Sequence, residues 1–305
     1  MGAITENPAP EVSIGLPVYN GAMFLEHTIA TLLGQTFADF ELIISDNAST
    51  DGTAEISREF ARRDPRVRYF RQPQNRGAAF NWNFVVHQAR GEFFKWASAN
   101  DYCHETFVAR CLEVLAEHAD VVLCYCRTRI ISDAGDFIEY DSHDAPALDP
   151  TAAARFVRLM SKGGTLNESS GLIRTAALRR TRLDRRYPGG DRVLLAELAA
   201  MGKFWLIDDA LFFRRMGAAS SLTRSVSHAE LQEIHHPERK HFRSFDKWIQ
   251  QLDFVRASLA APVPWLQKPS FLLAVMRRIA WQRNAMAREV ANFFRGSGES
   301  GKRAE

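Results

Sequence analysis

Short apolar runs alternate with segments of helical period through residues 12–125. Residues 12–16 form one such run, closed by Pro17, and residues 41–45, 67–70, 92–97 and 121–125 are further runs of strand length. Between them, residues 21–35, 50–63, 77–89 and 104–118 carry apolar side chains at helical spacing, with Phe24, Ile29, Leu32 and Leu33 in the first. Ser49 or Thr50 suits the N-cap of the second segment, and Gly91 a stop after the third. Strands joined by helices of this length pair in parallel through right-handed crossovers. The expected fold is therefore α/β, a mostly parallel sheet flanked by helices. In such sheets ligands bind beyond the carboxyl ends of the strands. That points to the loops after Leu16, Ser45, Phe70 and Ala97.

Beyond residue 130 the pattern is less regular. Residues 151–160 and 192–201 read as helices, and 204–207 and 211–213 as short strands. From about Ala229 the chain reads helical, broken by Pro262, Pro264 and Pro269, and residues 296–305 are Gly/Ser-rich and charged. The expected organisation is a nucleotide-binding domain over 1–228, a helical C-terminal extension over 229–295 and a disordered tail over 296–305.

The formal charge of +3 argues against a nucleic-acid partner, but it is unevenly spread: residues 231–305 hold 13 Lys+Arg against 7 Asp+Glu. A basic, aromatic-containing stretch of this kind is either a solvated helical face or a peripheral contact with an anionic membrane surface. No apolar run is long enough to span a bilayer, residues 271–276 being stopped by Arg277 and Arg278. The first residues lack a secretory pattern, so the expected location is cytoplasmic, with the inner membrane face as a variant of it. Cys103, Cys111, Cys124 and Cys126 form no C-x-x-C pair and read as reduced, buried thiols.

The four loops are chemically unusual. The first is Pro17-Val18-Tyr19-Asn20-Gly21, where an aromatic ring offers a platform for a flat base and Asn20 an amide. The second carries Asp46 and Asp51; Asp51 suits helix capping, whereas Asp46 precedes the cap by several residues and is free to accept a base or ribose hydrogen bond. The third holds Arg76, a candidate nucleotide contact, with Asn81 and Asn83 on the helix behind it. The fourth reads Ser98-Ala99-Asn100-Asp101, a place for a divalent cation bridging a diphosphate.

The stretches S-I-G-L-P-V-Y-N-G, Q-T-F-A-D-F-E-L-I-I-S-D-N-A-S-T-D-G-T, N-R-G-A-A-F-N-W-N and G-E-F-F-K-W-A-S-A-N-D, in this order, resemble the family 2 glycosyltransferases, which have the GT-A fold. The resemblance implies transfer of a sugar from a nucleotide-diphosphate donor, UDP by family weight with GDP and dTDP open, to a glycan, glycolipid or small-molecule hydroxyl. It matches Pro17, Tyr19 and Asp46 to nucleobase contacts, sets Asn100 against the ribose or diphosphate and makes Asp101 the ligand of Mn²⁺ or Mg²⁺. Many members carry D-x-D-D where this chain has one carboxylate, which weakens the expected metal dependence. The family also implies an acidic base at the start of a late helix. Asp191 fits that role, with inversion at the anomeric carbon, although Gly190 stands where members often show a second acid. An N-cap is the competing role for Asp191, and Glu168 is the second candidate base. Arg214 and Arg215 are candidates for diphosphate contact or for closing a loop at 217–221. The depleted metal motif supports an alternative, an inactive nucleotide-sugar-binding protein. A dinucleotide-dependent oxidoreductase and a P-loop NTPase are disfavoured, because neither glycine-rich fingerprint is present.

Overall fold

The computed structural model describes residues 9–217, 234–238 and 245–299. Four strands open the fold: β1 (Val12–Val18), β2 (Phe40–Asp46), β3 (Val67–Arg71) and β4 (Phe93–Trp96). They are connected by α1 (Ala22–Leu33), α2 (Thr53–Arg63) and α3 (Ala78–Gln88), and they pair in parallel as β3-β2-β1-β4. This half follows the sequence expectation closely. Helix α2 starts later than residue 50, at Thr53, because the Asp51 side chain accepts the Thr53 N–H and holds the preceding residues in a turn.

The second half departs from simple alternation. After β5 (Tyr102–Cys103) and α4 (Phe107–Glu117) comes β6 (Val121–Ile131), which does not join β4 directly. The short β8 (Leu172–Arg174) lies antiparallel between the two. Three residues are too few to show a period, so this strand is invisible in the sequence. The strands expected at 204–207 and 211–213 are one element, β9 (Lys203–Arg215), parallel to β6. A register shift at Cys126/Thr128 absorbs the polar Asp208-Asp209 pair, which reads as a break. The hairpin strand β7 (Phe137–Tyr140) pairs with β6 outside the main order.

Helices α5 (Ala152–Ser161), α6 (Thr175–Leu178), α7 (Gly190–Met201), α8 (Asp246–Ala260) and α9 (Lys268–Glu299) complete the described fold. Pro269 lies in the first turn of α9, where its missing N–H costs nothing, so it does not interrupt the helix. Helix α9 continues past Gly296 to Glu299, and 300–305 lie outside the described residues.

The sheet is covered on both faces. Leu25 and Ile29 of α1 and Phe107 and Cys111 of α4 pack with Ile14 and Leu16 on one side. On the other, Val85, Phe156 and Leu195 pack with Phe94 and Trp96, and Phe254 of α8 and Phe271 and Val275 of α9 belong to that same core. The C-terminal helices thus share the core of the sheet. All four cysteines are buried and free, Cys111 and Cys126 with sulfurs 4.0 Å apart.

Candidate active site

Hydrogen bonds draw the four loops onto one rim. The Val18 carbonyl accepts the Asn47 N–H at 2.9 Å, and Asn81 Nδ2 donates to the carbonyls of Val18 and Ser45, so α3 clasps the ends of β1 and β2. Asn47 Nδ2 donates to Asn75 Oδ1 and the Gly77 carbonyl, joining the second loop to the third. The Thr28 hydroxyl of α1 donates to the carbonyls of Ala99 (3.0 Å) and Asp101 (2.9 Å), bringing in the fourth.

Each expected residue has a distinct setting on this rim. Tyr19 is half exposed, its ring free to present a face. Asn20 adopts a left-handed backbone (φ 51°); its N–H donates to Ser49 Oγ and its Oδ1 accepts the Thr50 N–H at 2.8 Å, so it ties the first two loops together. Pro17 lies in β1 opposite Ser45, and Val18 is opposite Asp46. Asp46 is fully buried. Its Oδ1 accepts the Ser49 N–H at 2.7 Å, and its Oδ2 accepts the Tyr69 hydroxyl at 2.9 Å and Arg71 at 3.0 Å. A carboxylate has about four acceptor positions, so these three partners leave one. Arg76 lays its guanidinium over the Phe80 ring at 3.7 Å.

The fourth loop meets the end of β9. The Arg215 N–H donates to Asp101 Oδ1 at 2.9 Å, and Arg215 Nε donates to the Asn100 carbonyl at 3.1 Å. Arg215 is buried, with further bonds to the Ser132 and Asp133 carbonyls, and acts as a latch on the loop. Burial pushes Asp101 up to about 6, against the Arg215 N–H and the positive charges of Arg214, Lys95 and Arg215. Lys95 is sealed beneath the loop, donating to the carbonyls of Ser170 and Trp96. Among the described residues no three or more His, Cys, Asp or Glu side chains gather where they could hold a metal. The residues therefore fit a cation only if phosphate and water supply most of its ligands, with Asp101 as the one protein carboxylate.

Asp191 lies in the first turn of α7, and the cap is Gly189 in the left-handed region (φ 86°), so capping is not its role. Its Oδ1 accepts the neighbouring Arg192 N–H at 2.8 Å. Burial raises Asp191 above the ordinary carboxylate range, opposed by the Arg192 N–H and by the charges of Arg192 and Arg214. The charge of Arg214 opposes the rise at both Asp101 and Asp191. Arg214 itself is aimed by Asn167, whose Oδ1 accepts its guanidinium at 2.8 Å and whose Nδ2 donates to Asp141 and Asp144. Glu168 is sealed, ion-paired with Lys162 and raised by burial. It has no path to an acceptor without moving. Of the loop expected at 217–221, residues 218–221 lie outside the described residues.

Sequence reading missed Asp184. Burial, and then the negative charge of Asp191, push it up to about 8. A Cβ at Gly190 would fall 2.7 Å from Asp184 Oδ1 and 2.7 Å from the Arg185 carbonyl, so no side chain fits at 190. The Asp184 carboxylate fills the space beside that glycine. Its backbone is pinned to α3 by paired bonds with Asn83, at 2.9 and 3.0 Å. From α8, buried Asp253 accepts Arg182, Arg185 and the Tyr187 hydroxyl, fixing the segment between Asp184 and Asp191. The sequence signal for Asp184 is slight: one acid seven residues before another, across a Pro-Gly-Gly turn.

The nine-stranded, mostly parallel α/β sheet flanked by helices is a GT-A type fold. Residues 13–186 match the model of Glycosyl transferase family 2, and the chain belongs to that family of enzymes. It is 31% identical over 132 residues to the hyaluronan synthase of Pasteurella multocida, a match covering 43% of this chain and 14% of that protein. It is 26% identical over 203 residues to glycosyltransferase GlyG of Streptococcus pneumoniae serotype 4, covering 66% of this chain and 67% of that one. Its fold resembles the crystal structure of S. aureus TarS 1–349 in complex with UDP-GlcNAc, with a TM-score of 0.63 and 18% identity over 88% of this chain and 72% of the other. The chain thus spans a small part of the first of these relatives.

Proposed function

We propose that this enzyme transfers a sugar from a UDP-sugar to an acceptor hydroxyl in a single displacement that inverts the anomeric centre. The observation that carries the reading is the rim on which hydrogen bonds join the four loops, with Asp101 held there by the Arg215 N–H at 2.9 Å. A base stacks on Tyr19, and Asp46, buried behind it, receives a base hydrogen bond once Tyr69 or Arg71 moves aside. The diphosphate lies along the loop of Asn100 and Asp101, beneath Arg214. A divalent cation held by Asp101, Mn²⁺ or Mg²⁺, would neutralise charge on the departing diphosphate.

The chain's own residues do the rest. Asp184, its carboxyl raised to about 8, holds a proton at neutral pH, and Asp191 is the base. Asp191 takes the proton of the acceptor hydroxyl as that oxygen bonds to the anomeric carbon. The bond from that carbon to the diphosphate oxygen breaks with its electron pair, and Arg214 offsets the charge that develops there. The TarS complex with UDP-GlcNAc and the hyaluronan synthase relative support a UDP donor and a glycan or glycolipid acceptor.

A thermal-shift series with UDP-, GDP- and dTDP-sugars, with and without Mn²⁺, tests donor and cation together, because stabilisation follows affinity. Stabilisation by UDP-sugars with product on an acceptor panel is expected. The single carboxylate of the metal loop favours one rival, an inactive binder of nucleotide sugars. Donor binding with neither transfer nor hydrolysis would establish it.

A further inference from the structure

Residues 254–288 contain six Lys or Arg and no Asp or Glu. Within them α9 has two unlike faces. Phe271, Val275 and Met286 point into the protein and are buried. Leu273, Arg277 and Trp281 recur every four residues on the opposite face, with Met276 beside them, and all four are exposed. The short helical turn that leads into α9 adds exposed Trp265 and Leu266, and Trp265 and Trp281 are 76% and 78% exposed. Leu273, Arg277 and Trp281 also border a groove of about 840 Å³ against α5. The one acid on that groove, Asp149, is already bound by Arg158 at 2.7 and 3.0 Å.

We propose that this face is a docking surface for an anionic membrane. Tryptophan suits the boundary between headgroups and acyl chains, where its ring is buried and its N–H stays wet. A helix with one packed face and one apolar-basic face lies in the plane of that boundary. At 32 residues α9 is about 48 Å long, so several side chains can engage together. Exposed Arg277, Arg283 and Arg288 are set among the apolar residues and attract anionic headgroups. Arg278 and Lys268 take no part, because they are only partly exposed and donate to the Met160 and Ala261 carbonyls, whereas Arg283 bonds the Ala280 carbonyl of its own helix and stays exposed. A second copy of the chain is disfavoured as the occupant. A two-fold contact would set this acid-free basic segment against itself. No helix among the described residues is long and apolar enough to cross a membrane.

The test is flotation of the purified full chain with phosphatidylcholine vesicles, with and without phosphatidylglycerol. The expected result is binding to the anionic vesicles alone, a blue shift of tryptophan emission and release at high salt. Trp265→Ala with Trp281→Ala should abolish the shift while the thermal melt is unchanged. Arg277→Gln with Arg283→Gln should weaken binding about fivefold per charge, the equivalent of ~1 kcal/mol each. Should the variants fail to fold, the lipid and salt dependence of the unaltered chain still decides. Failure to float with anionic vesicles, or equal binding to neutral ones, overturns the proposal. So does concentration-dependent self-association that the tryptophan variant removes, which would identify a second copy instead. None of these outcomes depends on the chemistry at the sheet rim.

Discussion

The backbone N–H of Arg215 occupies Oδ1 of Asp101 at 2.9 Å. The one carboxylate available to a cation therefore offers it chiefly the other oxygen, and Asn100 beside it contributes only a neutral amide. A hard divalent ion binds more tightly as carboxylate ligands are added. Asn100→Asp is expected to tighten Mn²⁺ binding in the presence of UDP by about tenfold, measured by calorimetric titration. Unchanged affinity would mean that the cation does not sit against this loop.

Asp191 and Asp184 differ in what they do with a proton. If Asp191 is the base, Asp191→Asn should lower kcat by about 10²–10⁴, the usual worth of a positioned general base, with donor affinity intact. Asp184 is protonated at neutral pH, its carboxyl being raised to about 8, so Asp184→Asn replaces one neutral group by another. That variant is expected to keep kcat within about threefold at pH 7. Because burial raises Asp191, the acid limb of the rate profile should lie above the ordinary carboxylate range, with activity lost as pH falls through it. A D191N enzyme with ordinary turnover ends the assignment.

The division between what could be read from the sequence and what could not follows interaction range. The loops carrying Tyr19, Asp46 and Asp101 were legible because strand, turn and helix succeed one another locally, and period and turn residues report on neighbours. The place of Asp191 at the start of a helix was legible as well. Asp184 was not, since its role depends on the space left at Gly190 and on Asp191, both brought to it by the fold. Arg215 was expected to contact the diphosphate or to close a loop at 217–221; its latch on the fourth loop was not legible, because only the folded chain sets Ser132, Asp133 and Asn100 around its guanidinium. The β8 strand was hidden by its length, and the unity of β9 by a polar pair that the sheet absorbs with a register shift.

The anchoring of the Asp184 segment by α8 is itself testable. Asp253 is fully buried and gathers Arg182, Arg185, Arg256 and the Tyr187 hydroxyl. The Tyr187 bond and the arginine charges hold its carboxyl below the usual range despite burial. Asp253→Ala should cost about 2–3 kcal/mol in denaturant unfolding, less than the ~3–5 kcal/mol of a wholly buried pair because the arginines keep contact with water. It should also lower kcat more than it raises the donor KM, since the loosened segment carries Asp184 and leads into Asp191. A loss of stability with kinetics unchanged would separate α8 from the site.

The raised Asp184 also makes a stability prediction whose sign is fixed. Unfolded, its carboxyl titrates near 3.8; folded, near 8. Between these values the folded protein holds a proton that the unfolded chain has released, so stability falls as pH rises. This contribution is complete below the unfolded value and is lost as pH climbs through the folded one. Asp184→Asn keeps a neutral polar group at every pH and removes that part of the slope. Comparing the two proteins by urea unfolding across this range, the variant should gain on the wild type steadily as pH rises, with its largest advantage near pH 8. Parallel pH profiles for the two proteins would mean that Asp184 is ionised in the native state. The neighbour holding the proton for Asp191 would then have to be sought elsewhere.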